Sequence, residues 1–368
     1  MVVVISRRSL LALPLAAACS RQRVAFQGYA FIANQEGGAV AAVDLEVFAV
    51  AKHIALNGAP SQVLAASSRP SVYALTPESG AVHEIDADQL RFARKVTVAA
   101  RAVSMQIANG ERFLYVLARE PRSFIALRLE DFQVAWRVPL PGDPVELALA
   151  PEGDRAAVSM PSGVRFIHLA TRRVGPALGG LTGGFGAVRF LSSGATLIVA
   201  DRGQRRLSLY DVPSEGLLTH LPLPVRPDEL CFNQDGGQLF VTGAGLDAVV
   251  VVYPFRTPEV AETVLAGHSP GAMAASAQYL LVASPQSGDV SILNIPTRKV
   301  MAVVQVGVDP GFIAVTPDDQ YALVLNRTSG NVSVLRLATL TPNRFKSAGL
   351  LTVIGVGSKP VSAAIRAI

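Results

Sequence analysis

The stretch GVDPGFIAVTPDDQYALVLNRTSGNVSVLRL, from Gly307 to Leu337, decides the fold because variants of it recur along the chain. It consists of a proline with small apolar residues, a polar turn, an alternating apolar segment, a loop with glycine and serine, and another apolar segment. Internal self-similarity at a fixed period indicates a repeat architecture. The polar turn recurs every 41 or 42 residues, at Ser67, Asn109, Pro151, Ser192, Gln234, Ser276 and Pro317.

Each unit predicts four short strands separated by turns, which is typical of a β-propeller blade. The chain enters the repeat on a second strand, YAFIAN (29–34), and leaves it on a first strand, PVSAAIRAI (360–368). We therefore expect an all-β propeller of four-stranded blades, closed by pairing of the N- and C-terminal strands, which removes a free edge. Counting YAFIAN as the first unit predicts eight blades, with seven as the alternative.

The repeat resembles that of the YVTN-repeat (YncE-like) β-propeller proteins. The resemblance is carried by FIAN (31–34), FVTG (240–243), VGVDP (306–310), LVLN (323–326) and SGNVSVL (329–335). It covers residues 28–368 and implies a propeller fold. It implies no particular activity, because the family's repeat motifs are structural and its members serve varied ends.

The first twenty residues, MVVVISRRSLLALPLAAACS, have the pattern of an export signal. An arginine pair precedes an apolar run that is too short to span a bilayer. The arginines resemble a twin-arginine signal, with Sec export as the alternative, and the small residues before Cys19 resemble a lipobox. We expect a signal peptide at 1–19, a linker at 20–27 and one propeller domain at 28–368. The protein would be exported to the periplasm or cell surface and anchored through a lipid on Cys19.

Composition narrows the classes of function. Half of the residues are hydrophobic and 17% are charged. The formal net charge is +5, and two of its positive charges belong to the predicted leader. So small an excess of basic residues does not predict a surface that binds nucleic acid or an anionic membrane. Cys231 falls in a predicted inner strand and is interpreted as a small buried hydrophobe without a disulfide. A single tryptophan, Trp136, argues against WD40 repeats and tryptophan-docked quinoproteins.

No local motif indicates catalysis or a cofactor. Residues 267–271, GHSPG, match the G-x-S-x-G pattern, but Pro270 has no N–H for an oxyanion hole, and equivalent loops read GVDPG and GSKPV. No haem c, zincin or EF-hand pattern is present. The sequence therefore predicts no cofactor and no metal.

The fold itself suggests where a ligand would bind. In a propeller, loops entering inner strands and turns between second and third strands open on one face around the axial channel. Groups at second-strand ends, Asn34, Thr76, Asp201 and Asn326, are expected in the same ring, with Arg119, Arg202 and Arg327 beside such ends. The candidate ligand-binding residues at the channel mouth are Arg101, Asp143, Arg226, Asp228, His268, Asp309 and Lys359. They could either pair with one another in solvent or bind a small anionic or zwitterionic ligand.

Two functions remain open. The favoured one is a monomeric, non-catalytic envelope protein that binds a protein, cell-wall material or a small polar ligand through its loop face. The alternative is a lactonase-like hydrolase, since lactonases occur among similar propellers. That alternative needs carboxylates that converge on the channel, with Asp143, Asp228 and Asp309 as candidates.

Overall fold

The structure is a computed structural model that describes residues 26–255, 257–340 and 349–368. It contains 32 strands in eight four-stranded antiparallel sheets, so the predicted all-β propeller with eight blades is confirmed. The only helices in these ranges are two short 3₁₀ turns, and none is long enough or apolar enough to cross a membrane. Each blade has an inner, a second, a third and an outer strand.

The first four blades follow this order with the inner strand of blade 1 supplied by the end of the chain. In blade 1 the second, third and outer strands are β1 (Gly28–Asn34), β2 (Ala39–Asp44) and β3 (Ala49–Ala55). From inner to outer strand, blades 2, 3 and 4 are β4 (Gln62–Ala65), β5 (Ser71–Thr76), β6 (Ala81–Asp86), β7 (Arg91–Thr97); β8 (Arg101–Ile107), β9 (Phe113–Glu120), β10 (Arg122–Arg128), β11 (Gln133–Pro139); and β12 (Glu146–Leu149), β13 (Arg155–Met160), β14 (Gly163–His168), β15 (Arg173–Ala177).

The last four blades repeat the arrangement. From inner to outer strand they are β16 (Phe185–Phe190), β17 (Thr196–Asp201), β18 (Arg206–Asp211), β19 (Leu217–Pro222); β20 (Glu229–Phe232), β21 (Leu239–Thr242), β22 (Ala248–Tyr253), β23 (Glu259–Leu265); β24 (Met273–Ala275), β25 (Tyr279–Ser284), β26 (Asp289–Asn294), β27 (Val300–Gln305); and β28 (Pro310–Val315), β29 (Tyr321–Asn326), β30 (Asn331–Arg336), β31 (Leu350–Gly355). The chain ends on β32 (Pro360–Ala367).

The ring closes in blade 1, as the sequence predicts. Strand β32 is the inner strand there and pairs antiparallel with β1, from Gly28 opposite Ala367 to Asn34 opposite Pro360. Each inner strand touches the inner strands of the two neighbouring blades, and β28 of blade 8 touches β32. The eight inner strands therefore form an unbroken ring around the axis.

The core lies between blades rather than in one centre. Second and third strands are almost fully buried, because both faces of each sheet pack on neighbouring sheets. Leu75 of blade 2, for example, belongs to the same apolar cluster as Val116 and Ile125 of blade 3. Outer strands such as β3 alternate between exposed and covered positions. Alternating apolar residues over short segments produce this packing.

Candidate functional site

The channel mouth is formed by two sets of loops that lie side by side. The Gln35 N–H, in the turn between β1 and β2, donates to the Lys359 carbonyl before β32 at 2.9 Å. In blade 8 the Arg327 N–H, between β29 and β30, donates to the Asp309 carbonyl before β28 at 2.9 Å. We call the surface formed by these loops the mouth face. Side chains from both loop sets can therefore meet on it.

The structure places all seven candidate residues on the mouth face, each beside a group of opposite charge. Several of these pairs, such as that of Arg101 and Glu78, join neighbouring blades. The pairs are Arg101 with Glu78 and Glu120, Asp143 with Arg122, Asp228 with Arg226 and Arg202, His268 with Asp247, Asp309 with Arg327, and Lys359 with Glu36.

Asp228 holds two arginines at once. Its carboxylate accepts from Nε of Arg226 at 2.9 and 3.0 Å and lies 3.1 Å from Nε of Arg202. It also accepts the Ala244 N–H at 3.0 Å. The hydrogen bond and charge of Asp228 raise the pKa of Arg226. Two guanidinium groups around one carboxylate leave a surplus positive charge at this part of the mouth.

A cavity of about 650 Å³ opens on the mouth face where blade 8 meets blade 1. Two of its charged pairs are Lys359 Nζ with Glu36 Oε1, at 3.3 Å, and Arg327 Nη1 with Asp309 Oδ1, at 3.8 Å. Ser329 is among the neutral residues of its wall. The cavity therefore offers cationic, anionic and neutral polar groups to one occupant.

The backbone before two inner strands is strained at this cavity. Asp309 has φ of 59° and Lys359 has φ of 56°, in the left-handed region that residues other than glycine seldom adopt. Each of them precedes the proline that begins its inner strand, Pro310 or Pro360. Ser269, before Pro270 in the corresponding loop of blade 7, has φ of 56° as well, so this conformation recurs with the repeat. Here the conformation places an aspartate and a lysine in the cavity wall.

The second-strand ends, expected in the same ring, are instead buried. Asn34, Thr76, Asp201 and Asn326 are at most 1% exposed. Their side chains bond within the protein, as when Asp201 accepts from Nε of Arg206 at 3.0 Å. The alternation of a strand turns these residues into the sheet sandwich, so they support the turns and do not contact a ligand at the mouth.

His268 is exposed at the blade 7 loop and is held by Asp247 of blade 6. Its Nδ1 lies 2.8 Å from Asp247 Oδ2, and the Ser269 N–H donates to the other carboxylate oxygen at 2.8 Å. The hydrogen bond and charge of Asp247 raise the pKa of His268. Both oxygens of Asp247 thus secure the loop that contains the G-x-S-x-G match.

The channel wall below the mouth is charged on blades 4 to 6. Arg189 of β16 donates to the Glu146 carboxylate of β12. Glu229 of β20 reaches solvent in the channel but is enclosed by protein on most sides, and this burial, with the nearby Glu146 carboxylate, raises its pKa. Burial raises the pKa of the free Cys231 thiol to about 11, so it stays neutral and unreactive near pH 7.

Sequence reasoning missed most of the partner carboxylates. Glu36, Glu78 and Glu120 each stand two residues after the end of the apolar second-strand segment in blades 1, 2 and 3. The recurrence of an acid at one repeat position was the signal that could have revealed them. Asp247 has no such recurrence, and its pairing with His268 depends on how two blades meet.

The three carboxylates of the hydrolase alternative belong to different blades. Asp143 precedes β12 of blade 4, Asp228 precedes β20 of blade 6, and Asp309 precedes β28 of blade 8. Each has an arginine neighbour of its own. Within residues 26–255, 257–340 and 349–368, no group of three or more His, Cys, Asp or Glu side chains is placed to hold a metal ion. Cys19 and the rest of the predicted leader lie outside the described residues.

Comparisons with known proteins place the chain among β-propellers. No family model matches it, and no curated protein matches it. The structure is similar to dihydro-heme d1 dehydrogenase NirN in complex with DHE, with a TM-score of 0.75, 14% identity, and coverage of 95% of this chain and 78% of that one. It is also similar to apo AztD from Citrobacter koseri, with a TM-score of 0.70, 16% identity, and coverage of 93% and 98%.

A third similar structure is the hydrazine synthase of Kuenenia stuttgartiensis, with a TM-score of 0.60, 17% identity, and coverage of 77% of this chain and 96% of that one. Sequence identities this low show a shared fold and nothing more specific. The class is therefore the β-propeller, and membership of the YVTN-repeat family stays a prediction.

Proposed function

We propose that this protein is an exported, lipid-anchored β-propeller of the YVTN-repeat type that binds a small anionic or zwitterionic ligand at its mouth without catalysing a reaction. The observation that carries the proposal is the cavity of about 650 Å³ between blades 8 and 1. Small-molecule sites in proteins are clefts of about 300–1,000 Å³ with a few well-placed polar groups. The volume of the cavity and its polar groups fit that description.

The charged pairs in the cavity are easily exchanged for a ligand. Side chains of Lys359 and Glu36 are 42% and 64% exposed, and those of Arg327 and Asp309 are similarly open. Exposed ion pairs contribute about 0–1 kcal/mol each. A ligand carboxylate can therefore replace Glu36 or Asp309 beside a cation at little cost, and a ligand ammonium can replace Lys359 or Arg327 beside an acid.

One of the similar structures contains a bound ligand. The NirN structure is a complex with DHE, so a chain with a similar fold has been solved with a ligand bound. The proposal rests mainly on the cavity between blades 8 and 1 and on the charged side chains in its wall.

The position of the first strand suggests how the proposed anchor would orient the domain. Strand β1 begins at Gly28 and ends at Asn34 beside the mouth face, so Gly28 lies at the opposite face. Gly28 lies nine positions after Cys19 in sequence, a span that can extend to about 32 Å at most. A lipid on Cys19 would therefore hold the opposite face near the membrane and direct the mouth away from it.

The test is native mass spectrometry of the protein, solubilised gently from membranes of its own host. We expect a diacylglycerol-modified chain that carries a small-molecule adduct, and loss of the adduct in Lys359→Gln and Asp309→Asn variants. Lys52→Gln is the matched control, because Lys52 is exposed on outer strand β3. A Cys19→Ser variant should lose the lipid and keep the adduct.

The outcomes separate the parts of the proposal. An adduct that survives both mouth substitutions would place the binding site elsewhere. A chain without a lipid would refute the anchor and leave the cavity untouched. A co-purified protein in place of a small adduct would favour the scaffold role.

A further inference from the structure

Two blades share a feature that the repeat does not require. Arg202 follows second strand β17 in blade 5, and Arg327 follows second strand β29 in blade 8. Each arginine lies across a glycine of the inner strand in its own blade, Gly186 and Gly311 respectively. The side chains therefore extend from the second strand toward the strand nearest the channel axis.

Glycine is what makes room for both guanidinium groups. A Cβ on Gly311 would lie 2.1 Å from Cζ and Nε of Arg327, and a Cβ on Gly186 would lie 2.6 Å from Nε of Arg202. Real Cβ contacts are not that short, so any side chain at either position would displace the arginine. We call these two arrangements the arginine seats.

The seats hold the arginines by few bonds and leave them accessible. Arg327 Nη2 donates to the Gly311 carbonyl at 2.9 Å, and Arg202 Nη2 donates to the Asp228 carbonyl at 3.1 Å. Each guanidinium also lies beside one carboxylate, with Arg202 Nε 3.1 Å from Asp228 Oδ1 and Arg327 Nη1 3.8 Å from Asp309 Oδ1. A guanidinium carries five N–H groups, and each of these two side chains is 38% exposed. Several donors of each arginine thus remain open to solvent at the mouth.

Blade 3 provides an internal control. Arg119 occupies the same repeat position, after the apolar part of second strand β9, but the matching inner-strand residue is Val103. Arg119 is exposed rather than folded inward. In the remaining blades the position after the second strand holds no arginine, with Gln35, Pro77, Pro161, Gly243 and Pro285 there.

A purely structural role explains the seats poorly. Glycine within a strand weakens it, because it adds backbone entropy to the unfolded chain and has no side chain to pack. Ion pairs of half-exposed arginines contribute little in return. Two blades therefore keep a destabilising strand glycine and place an arginine at the same position above it. Binding of a ligand by these arginines explains this better than stability does.

Resting on the proposed function, we infer that Arg202 and Arg327 are paired docking points for anionic groups, so the ligand of the mouth carries two separated carboxylates or phosphates. Guanidinium binds either group in a two-pronged fashion, with two parallel N–H···O bonds. The seats lie three blades apart on the ring, so one compact anion cannot use both. A ligand with an anionic group at each end can.

The experiment titrates the protein by calorimetry with two series of probes: straight-chain α,ω-dicarboxylates from succinate upward, and alkane bisphosphonates of matching length. Acetate and methylphosphonate are the single-charge references. Because a second attachment acts at high effective concentration, the best-matched two-ended probe should bind at least about 100-fold tighter than its reference. Arg202→Gln and Arg327→Gln should each reduce that advantage to near onefold, whereas Arg119→Gln should leave it unchanged.

Gly186→Ala and Gly311→Ala test the seats themselves, since they keep every charge and move only the guanidinium. Each should reduce the advantage as much as loss of the arginine does, while single-charge binding at the other seat persists. Thermal unfolding shows whether these variants fold. Should one fail to fold, Arg→Lys at the same seat replaces it, since lysine keeps the charge but lacks the fork.

The inference is wrong if no two-ended probe of either series exceeds its reference, or if only one of the two arginines affects binding. Neither result touches the proposed function, which depends on the adduct and on Lys359 and Asp309. Conversely, the adduct could survive the Lys359→Gln and Asp309→Asn substitutions while two-ended probes still bind more tightly than their references. That result would refute the proposed site at the cavity and leave the inference about Arg202 and Arg327 standing. The two proposals therefore fail separately.

Discussion

Removal of residues 360–368 should abolish cooperative folding, because it deletes the inner strand of blade 1. Strand β32 pairs with β1 at seven positions in the register. At about 1 kcal/mol of net stabilisation for each of roughly six ladder hydrogen bonds, the pairing contributes about 6 kcal/mol. Val361 and Ile365 are half-buried in clusters shared with blades 2 and 8, and add about 1 kcal/mol each.

That loss is comparable to the whole stability of a typical protein, about 5–15 kcal/mol. It also leaves the edges of β1, β4 and β28 without their inner neighbour, so the ring is open. We expect the truncated chain either to remain unfolded or to unfold at a far lower urea concentration than the full chain.

Urea unfolding followed by fluorescence of Trp136 provides the assay. Trp136 lies on β11 of blade 3, well away from the deletion, so its signal reports loss of the ring rather than local fraying. Removal of Ile368 alone is the control, since that side chain is 81% exposed. A synthetic peptide of residues 360–368 should restore the transition in the truncated chain. An unchanged urea midpoint after truncation would refute closure by β32.

Three further substitutions have expected outcomes. Burial alone would raise the pKa of Glu111, but hydrogen bonds from Ser68 and Ser67 hold this pKa below its usual value. The ionised Glu111 therefore stabilises the folded state fully above about pH 4.5, and this contribution is lost as the pH falls through the lowered pKa. Glu111→Gln should therefore cost about 1–3 kcal/mol at pH 7 in chemical unfolding, and a gap that does not narrow toward pH 3 would contradict this. Burial lowers the pKa of His83 to about 4, so the unfolded chain takes up a proton first as the pH falls below about 6.5. The wild-type protein should lose about 2 kcal/mol of unfolding free energy between pH 7 and 5 through this group, and His83→Gln should remove that loss; equal pH profiles would refute the cause. Lys359→Gly relieves a left-handed φ of 56° and should raise stability by about 1 kcal/mol while abolishing the mouth adduct, and a lower urea midpoint would show that the strain is not there.

The fold was predictable from the sequence because its determinants are local and repeated. A polar turn every 41 or 42 residues, followed by a short alternating apolar segment, reappears at second strands such as β5, β17 and β29. The offset between YAFIAN and PVSAAIRAI in the repeat predicted the pairing of β1 with β32. The pattern of any single strand predicts it only weakly, but the same pattern recurs in eight blades, so together the repeats predict the fold strongly.

The site was predictable only in part. Propeller geometry located Arg101, Asp309 and Lys359 on the mouth face before any side chain was placed. It could not show that second-strand ends such as Asp201 turn inward, because one residue of strand alternation separates a buried group from an exposed one. The position of a residue in the repeat predicts the face of the ring but not the direction of the side chain.

By itself, the sequence determined the four-stranded blade and the order of the blades, since both depend on a pattern within about forty residues, and it favoured eight blades over seven. The closure of the ring followed from the different points at which the two ends of the chain enter and leave that repeat. Only the tertiary structure decided which charges meet. Arg101 and Glu78 pair because the loops of blades 2 and 3 lie side by side, and Arg327 lies inward because Gly311 leaves space beneath it. Electrostatic and steric contacts act over a few ångströms in space, and the ring brings together residues whose separation in the chain holds no sign of that proximity.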